Sequence, residues 1–307
     1  FVFPGQGSQS IGMLADMLPL NTIIHKTFAE ASETLGYDLW QLVQTGPEDE
    51  LNDTRRTQPA MLTAGIAIWR LWQAQKGPQP QYLTGHSLGE YTALVAAGAM
   101  DFADAVKLVE QRGEFMQLAV PAGHGAMAAI LGLDAEQVRQ ICEAAAGEGH
   151  VAAANYNAPE QIVIAGNTAA VDRAVEAAKA AGAKRAITLP VSVPSHCALM
   201  RPAAEQLATQ LETITINPPG IPIIHNADVA EHADAAAIRM ALTSQLFKPV
   251  RWVETVQIMK DKGVQHVVEC GPGKVLAGLN KRIDRTLNTL PINDAASFES
   301  ALAGVHE

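Results

Sequence analysis

The sequence predicts an α/β fold: a mostly parallel sheet covered by helices on both faces, interrupted by a small inserted unit with a sheet of its own. Three observations predict it. Short apolar strands alternate with amphipathic helical stretches at both ends of the chain, the pattern of a parallel sheet whose crossovers run over its faces. Between residues 124 and 193 the order changes to strand, helix, strand, strand, helix, strand, and the alternation then resumes. The 307 residues suffice for a large core and about two domains.

The elements follow in order. Phe1-Val2-Phe3 reads as a short buried strand ending at Pro4-Gly5. In TQPAMLTAGIAIWRLWQAQ, Thr57 is placed to cap a long helix, with Pro59 in its first turn. Tyr82-Leu83-Thr84 forms a strand leading into GHSLG, followed by a helix through Tyr91 to Ala97 and another over 102–119 capped by Asp101. GAMAAILGL, HVAAANYNA, QIVIAGN and RAITLPVS are the strands of the insert. DAEQVRQICEAAA and TAAVDRAVEAAKAAG are its helices, giving the ferredoxin-like order βαββαβ. The expected boundaries are therefore a body of 1–123 and 194–307 and an insert of 124–193. The body resumes with a helix from His196 to about Thr213, a strand IPIIHN, and helices over AAAIRMALTSQL and VRWVETVQIMKDKG. A strand VQHVVEC, the turn GPGK and a last helix carrying Lys281, Arg282 and Arg285 complete it.

Composition narrows the function classes. With 48% hydrophobic and 18% charged residues the chain is a compact globular protein. Its formal net charge of −10 argues against nucleic-acid binding or adhesion to anionic membranes. Apolar runs are broken well short of the ~20 residues a membrane span needs. No basic, signal-type segment opens the chain, and it begins at Phe1 without methionine, so a few preceding residues are expected. Three scattered cysteines (Cys142, Cys197, Cys270) suit a reducing cytoplasm and form no disulfide framework. The nine histidines show no HExxH, and His225 and His232, seven apart in a polar stretch, read as surface residues; no metal site is expected.

The chemistry centres on Gly85-His86-Ser87-Leu88-Gly89. A strand before and a helix after make the context of a nucleophile elbow, in which flanking glycines relieve crowding and the serine hydroxyl leaves the turn beside helical N–H groups. An ordinary loop serine is the plainer alternative. A serine nucleophile needs a base. His196, after a predicted strand, is the candidate, against the alternative of a helix-start histidine bonded to backbone. His86 reads as structural, because its side chain should leave the turn in another direction. No acidic residue between Ser87 and His196 stands out at a strand end, so a dyad oriented by a backbone carbonyl is at least as good a reading as a triad.

Two glycine stretches invite other readings. FPGQGSQSIGM lacks the third glycine of a dinucleotide loop (Ser10 stands there) and the later acidic strand end. It reads better as a loop that brings Gln6 toward the serine as an oxyanion donor. GPGK lacks P-loop spacing and reads as a strand-to-helix turn. Arg112 falls in the apolar series Phe102, Val106, Val109, Met116 and Val120, where a guanidinium is costly unless paired. It either salt-bridges an internal carboxylate or snorkels outward, or it awaits an anionic ligand. Arginine binds a carboxylate through two parallel hydrogen bonds, which would suit an acyl group bearing a free carboxylate.

FPGQGSQ, TQP, GHSLGEYTAL, RG..M, NYNAPEQIVIAG, PVSVPSH and ECGPGKVL occur in order nearly from end to end. Together they resemble the bacterial malonyl-CoA:acyl carrier protein transacylases of type II fatty acid synthesis. The resemblance implies an α/β-hydrolase-like body with a ferredoxin-like insert, and an acyltransferase moving malonyl from malonyl-CoA to the phosphopantetheine thiol of acyl carrier protein through a malonyl-serine. It implies Ser87 as nucleophile, His196 as base, Gln6 and the Leu88 N–H as oxyanion hole, and Gln245 as the residue whose main-chain carbonyl orients the histidine. Arg112, with Met116, Asn155 and Asn157, is implied in substrate binding. Malonyl-CoA and acyl carrier protein are the implied partners, and a cytoplasmic monomer without cofactor is expected. Pro194-Ser195 does not match the extender-specific patterns that polyketide acyltransferases carry before the histidine. An esterase or thioesterase, which would hydrolyse and need no Arg112, and a non-catalytic carrier-binding module are the rival classes.

Overall fold

The computed structural model describes residues 1–18, 22–191 and 193–305. Among these, eight strands run in chain order: β1 (Val2–Phe3), β2 (Thr84–Gly85), β3 (Gly125–Leu131), β4 (Val151–Ala158), β5 (Gln161–Asn167), β6 (Arg185–Thr188), β7 (His266–Cys270) and β8 (Asn288–Ile292). They form two sheets. The body sheet has the order β2-β1-β7-β8 and is parallel throughout, with Phe3 opposite Gly85 and Cys270 opposite Ile292. Parallel neighbours need long crossovers, and helices such as Thr54–Ala74 between β1 and β2 and Val275–Ile283 between β7 and β8 supply them. Loops leaving the carboxyl ends of β1, β2 and β7 therefore meet at one edge, where ligands bind in open α/β sheets.

The second sheet, order β4-β5-β3-β6, is antiparallel, as the ferredoxin-like reading requires. Strand alternation divides its side chains. Ala126, Ala128 and Ile130 of β3 pack with Val138, Cys142, Val171 and Ala174 of the two covering helices. Met127, Val163 and Ala165 face the other way, against Cys197 of the body. A parallel bridge of Asn155 with Val250 joins the sheets' two units: Tyr156 N–H donates to Val250 O at 2.9 Å and Val250 N–H to Ala154 O at 2.9 Å. The end of the predicted RAITLPVS strand at Ser192 lies outside the described residues.

Several elements differ from the sequence reading. The long helix starts at Thr54, earlier than a Thr57 cap would allow, because the Asp53 carboxylate accepts the Arg55 N–H at 2.9 Å. Thr57 is instead buried inside the helix, its hydroxyl donating to Leu51 O at 2.6 Å, and Pro59 lies beyond the first turn, where it cannot donate to Arg55 O. IPIIHN forms no strand, only single bridges from Ile223 to Leu83 and from Ile224 to Glu231. His196 precedes its helix: a short turn at Ala198–Met200 intervenes, the helix proper is Arg201–Leu211, and His196 has φ 60°. The helix of the basic residues ends at Ile283, leaving Arg285 outside it, and β8 and the helix Ala295–Gly304 follow. Phe298 of that last helix meets Trp72 edge to face, ring centres 6.2 Å apart.

Candidate active site

The elbow is built by steric necessity. Ser87 has φ 52°, a left-handed conformation costly for a non-glycine residue. A side chain at Gly85 would put its Cβ 2.0 Å from the Gly89 carbonyl carbon, and one at Gly89 would lie 2.0 Å from Phe3 O. Only glycine on both sides allows the strand to turn this sharply against β1. Polar partners hold the serine peptide: its N–H donates to Asn226 Oδ1 at 2.7 Å and its carbonyl accepts from Gln245 Nε2 at 2.9 Å. The helix Gly89–Ala96 begins directly after Leu88.

His196 lies 109 residues away in sequence, yet its Nε2 is 2.8 Å from Ser87 Oγ. Its Nδ1 is 2.7 Å from the main-chain carbonyl of Gln245. A carbonyl only accepts, so Nδ1 carries the hydrogen and Nε2 is left as the bare acceptor for the serine hydroxyl. Burial pulls the imidazole pKa down to about 3, the Arg112 charge adds to this, and the Gln245 carbonyl opposes it. The ring is neutral across the neutral pH range, the state a general base requires.

Arg112 is 1% exposed. Its Nη2 donates to Ser87 Oγ at 3.1 Å and to Gln245 Oε1 at 3.0 Å, and its Nη1 donates to Gln58 Oε1 at 2.7 Å. Nε has no partner among the described residues, and the guanidinium sits 5.2 Å from the Tyr91 ring centre. Among the described residues no carboxylate forms an ion pair with it, so the internal salt bridge considered from sequence is absent. Burial depresses its pKa, opposed by Tyr91 and Glu90. Gln58 also donates to Met116 Sδ at 3.6 Å, which joins Met116 to the arginine's surroundings one helical turn on.

These groups line a cavity of about 270 Å³, walled by Gln6, Ser87, Leu88, Arg112, Met116, Asn155, Asn157 and His196. Gln245 stands behind the wall, fully buried. The β1 loop lies tight on the elbow: a Cβ at Gly5 would be 2.5 Å from His86 O. Gln6 directs its side-chain amide to Thr54 Oγ1 at 3.2 Å, not to the serine. His86 turns away from His196 to Asn157 Oδ1, 2.8 Å from its Nε2, and burial lowers its pKa. Met127 and Val163 of the insert and Val275, Leu276 and Leu279 of the body supply an apolar wall. GPGK is indeed no phosphate loop: the N–H groups of Leu276 and Ala277 are taken by the buried Glu269 carboxylate at 3.0 and 2.7 Å.

Sequence reasoning missed four residues of this site. Gln58, Glu90, His225 and Asn226 are all buried, and Glu90 meets His225 Nδ1 at 2.7 Å. His225 is therefore no surface residue, because it answers a carboxylate 135 positions away. His232, in contact with it, is partly exposed and pairs with Asp228 at 2.7 Å. Position next to the elbow glycine is the one signal in the sequence that could have singled out Glu90.

A serine held at a strained strand-to-helix turn, a histidine bonded to a main-chain carbonyl, and a buried arginine against the serine hydroxyl thus meet in one cavity. Residues 1–299 match the acyl transferase domain. The chain is 57% identical over 302 residues to the malonyl CoA-acyl carrier protein transacylase of Salmonella typhimurium, covering 98% of each chain. This chain belongs to that transacylase family. The crystal structure of an acyl carrier protein S-malonyltransferase from Vibrio cholerae superposes with a TM-score of 0.96 at 56% identity, covering 97% of this chain and 98% of that one. A malonyl-transacylase solved in complex with a holo type II PKS acyl-carrier protein superposes with a TM-score of 0.98 at 55% identity, covering 99% and 98%. The transacylase fold thus accounts for both sheets, the α/β-hydrolase-like body and the ferredoxin-like insert.

Proposed function

We propose that the chain transfers malonyl from malonyl-CoA to the phosphopantetheine thiol of acyl carrier protein, with Ser87 as nucleophile and His196 as base. The observation that carries this reading is Arg112. A fully buried guanidinium 3.1 Å from the nucleophile, with no carboxylate paired to it among the described residues, fits an acyl chain that brings one. Family membership supports the same substrate.

In the proposed first half-reaction His196 Nε2 takes the proton of Ser87, and Oγ attacks the thioester carbonyl. The oxyanion is assigned to the N–H groups of Leu88 and Gln6. No acceptor among the described residues takes the Leu88 N–H, which leaves it free for this role. Collapse breaks the carbon–sulfur bond, His196 returns the proton to the CoA sulfur, and malonyl-Ser87 remains. In the second half the carrier thiol gives its proton to His196 and attacks the ester, and Ser87 leaves with that proton. Met116 closes the acyl end beside Arg112, while Asn155 and Asn157 line the thioester arm. The Gln245 carbonyl takes the part of a triad's acid by fixing the imidazole tautomer. These steps need only thioester, serine and histidine, so no cofactor is assigned.

We assign residues 1–123 and 194–307 to the catalytic body and 124–193 to an insert that walls one side of the channel. A cytoplasmic monomer is the proposed form, in keeping with three buried free cysteines and few exposed large apolar side chains among the described residues. No helix among the described residues is long and apolar enough to cross a membrane. Mass spectrometry after mixing with malonyl-CoA tests the reading. A malonyl adduct on Ser87, lost in Ser87→Ala, is expected; transfer retained by Ser87→Ala would refute the nucleophile.

A further inference from the structure

Behind the cavity wall lies a cluster of polar side chains that the transfer steps do not use. Glu90, His225, Asn226 and Gln245 are each fully buried. The Glu90 carboxylate is their common acceptor: Oε2 takes the Asn226 N–H at 3.0 Å and Gln245 Nε2 at 2.8 Å, and Oε1 faces His225 Nδ1 at 2.7 Å. Both amide residues reach the nucleophile. Asn226 accepts the Ser87 N–H with Oδ1 and donates to Gly85 O at 2.7 Å with Nδ2. Gln245 donates to Ser87 O, and its Oε1 accepts Arg112 Nη2 at 3.0 Å.

The Gln245 amide therefore has a forced polarity. One side meets a guanidinium that can only donate; the other meets a carboxylate and a carbonyl that can only accept. A flipped amide would set NH₂ against guanidinium and oxygen against carboxylate. Buried polar groups held on every side specify one geometry, and a missing partner loosens the whole network. A carboxylate in the first turn of the helix Gly89–Ala96 is also favoured by the helix dipole, which gives a purely structural role to weigh against.

We propose that Glu90 is a positioning residue for acyl selectivity: through the Gln245 side chain it aims Arg112 at the carboxylate of the incoming acyl group. The proposal rests on the reading of Arg112 as the malonyl-binding residue. Its distinctive consequence is substrate-dependent, because acetyl has no carboxylate for the arginine to meet. Loss of the Glu90 acceptor should therefore change the ratio of malonyl to acetyl loading more than either rate's shared component.

The test measures kcat/KM for loading Ser87 from malonyl-CoA and from acetyl-CoA, with melting curves, in Glu90→Leu, Glu90→Gln and Gln245→Met. Glu90→Leu and Gln245→Met are repeated in an Arg112→Ala background. Leucine fills the volume without an acceptor, and the malonyl-to-acetyl ratio should fall at least about fivefold. Glutamine can keep its oxygen toward Asn226 and Gln245 and turn its NH₂ to His225, whose Nε2 has no partner among the described residues and can take the ring proton instead. Glu90→Gln should therefore stay within about twofold of the parent ratio. In the Arg112→Ala background neither Leu nor Met should move the ratio further, since coupled groups are non-additive. A ratio unchanged in Glu90→Leu, or lowered equally with and without Arg112, overturns the proposal. Should Glu90→Leu fail to fold, Gln245→Met carries the test, and an unchanged ratio there is equally fatal. An unchanged ratio in Arg112→Ala itself would instead remove the arginine reading beneath it.

Discussion

Replacing Arg112 by alanine separates a substrate-binding arginine from a structural one. In the site, Nη2 already contacts Ser87 Oγ at 3.1 Å, so an acyl group carried on that oxygen lies within reach of the guanidinium. The guanidinium is withdrawn from bulk solvent, with the side chain 1% exposed. Removing one partner of a desolvated charge pair costs ~2–5 kcal/mol. At 1.4 kcal/mol per tenfold this is roughly 30-fold to several thousand-fold, so a loss on the order of 10²-fold in kcat/KM for malonyl-CoA is expected. Acetyl-CoA should hold its rate or gain. Arg112→Lys should recover only part, because an ammonium keeps the charge without the two-pronged geometry.

Stability should respond differently from selectivity. No carboxylate forms an ion pair with Arg112 among the described residues, so its removal breaks no internal salt bridge. Gln58 Oε1 and Gln245 Oε1 lose a donor, at about 1–3 kcal/mol for each acceptor left unsatisfied. Relief of a buried charge offsets part of that cost. Loading kinetics for both thioesters and a melting curve, taken on one preparation, read the two effects independently. Equal loss for malonyl and acetyl, with a lowered melting temperature, would refute the substrate-arginine argument.

Two further outcomes are expected. His196→Ala should slow loading by ~10²–10⁴. In the parent, the histidine's depressed pKa, about 3 against an ordinary ~6.5, makes the unfolded state bind the proton first. Its contribution to stability is therefore present above about pH 6.5 and lost as pH falls toward 3. The loading rate should cross pH 6.5 without an acid limb, and a limb centred there would contradict the buried neutral imidazole. For the carrier, Lys281 and Arg282 are exposed on the helix whose Val275, Leu276 and Leu279 wall the cavity. Lys281→Glu with Arg282→Glu should raise the KM for carrier protein and leave malonyl-CoA loading nearly intact; unchanged carrier kinetics would dismiss the patch. Lys184 and Arg185, at the insert's last strand, are a second candidate patch, in which Lys184 pairs with Glu160 at 3.3 Å.

What the sequence disclosed were features with local causes. Gly85 and Gly89 flank a turn only glycine can make, and Asp101 caps its own helix by accepting from Ala103 and Asp104. The helix Phe102–Ala119 was legible from its apolar spacing, and Arg112 betrayed itself by interrupting that spacing. Misreadings arose where a distant or competing partner decided the outcome. Thr57 looked like a cap until Asp53 took the role, and His225 looked like surface because its partner Glu90 is 135 positions away. The polar character of IPIIHN and its surroundings was real, but those side chains are spent inward: Asn226 on the elbow, His225 on a carboxylate. Gln245 marks the limit most sharply. Its main-chain carbonyl orients His196, and every residue type has one, so no side-chain pattern can announce that role. Its side chain, by contrast, answers Arg112, Ser87 and Glu90 at once, and only a residue with both donor and acceptor can do that. On the proposed reading the backbone contact stands in for a triad acid, and the side-chain contacts explain why glutamine stands at that position.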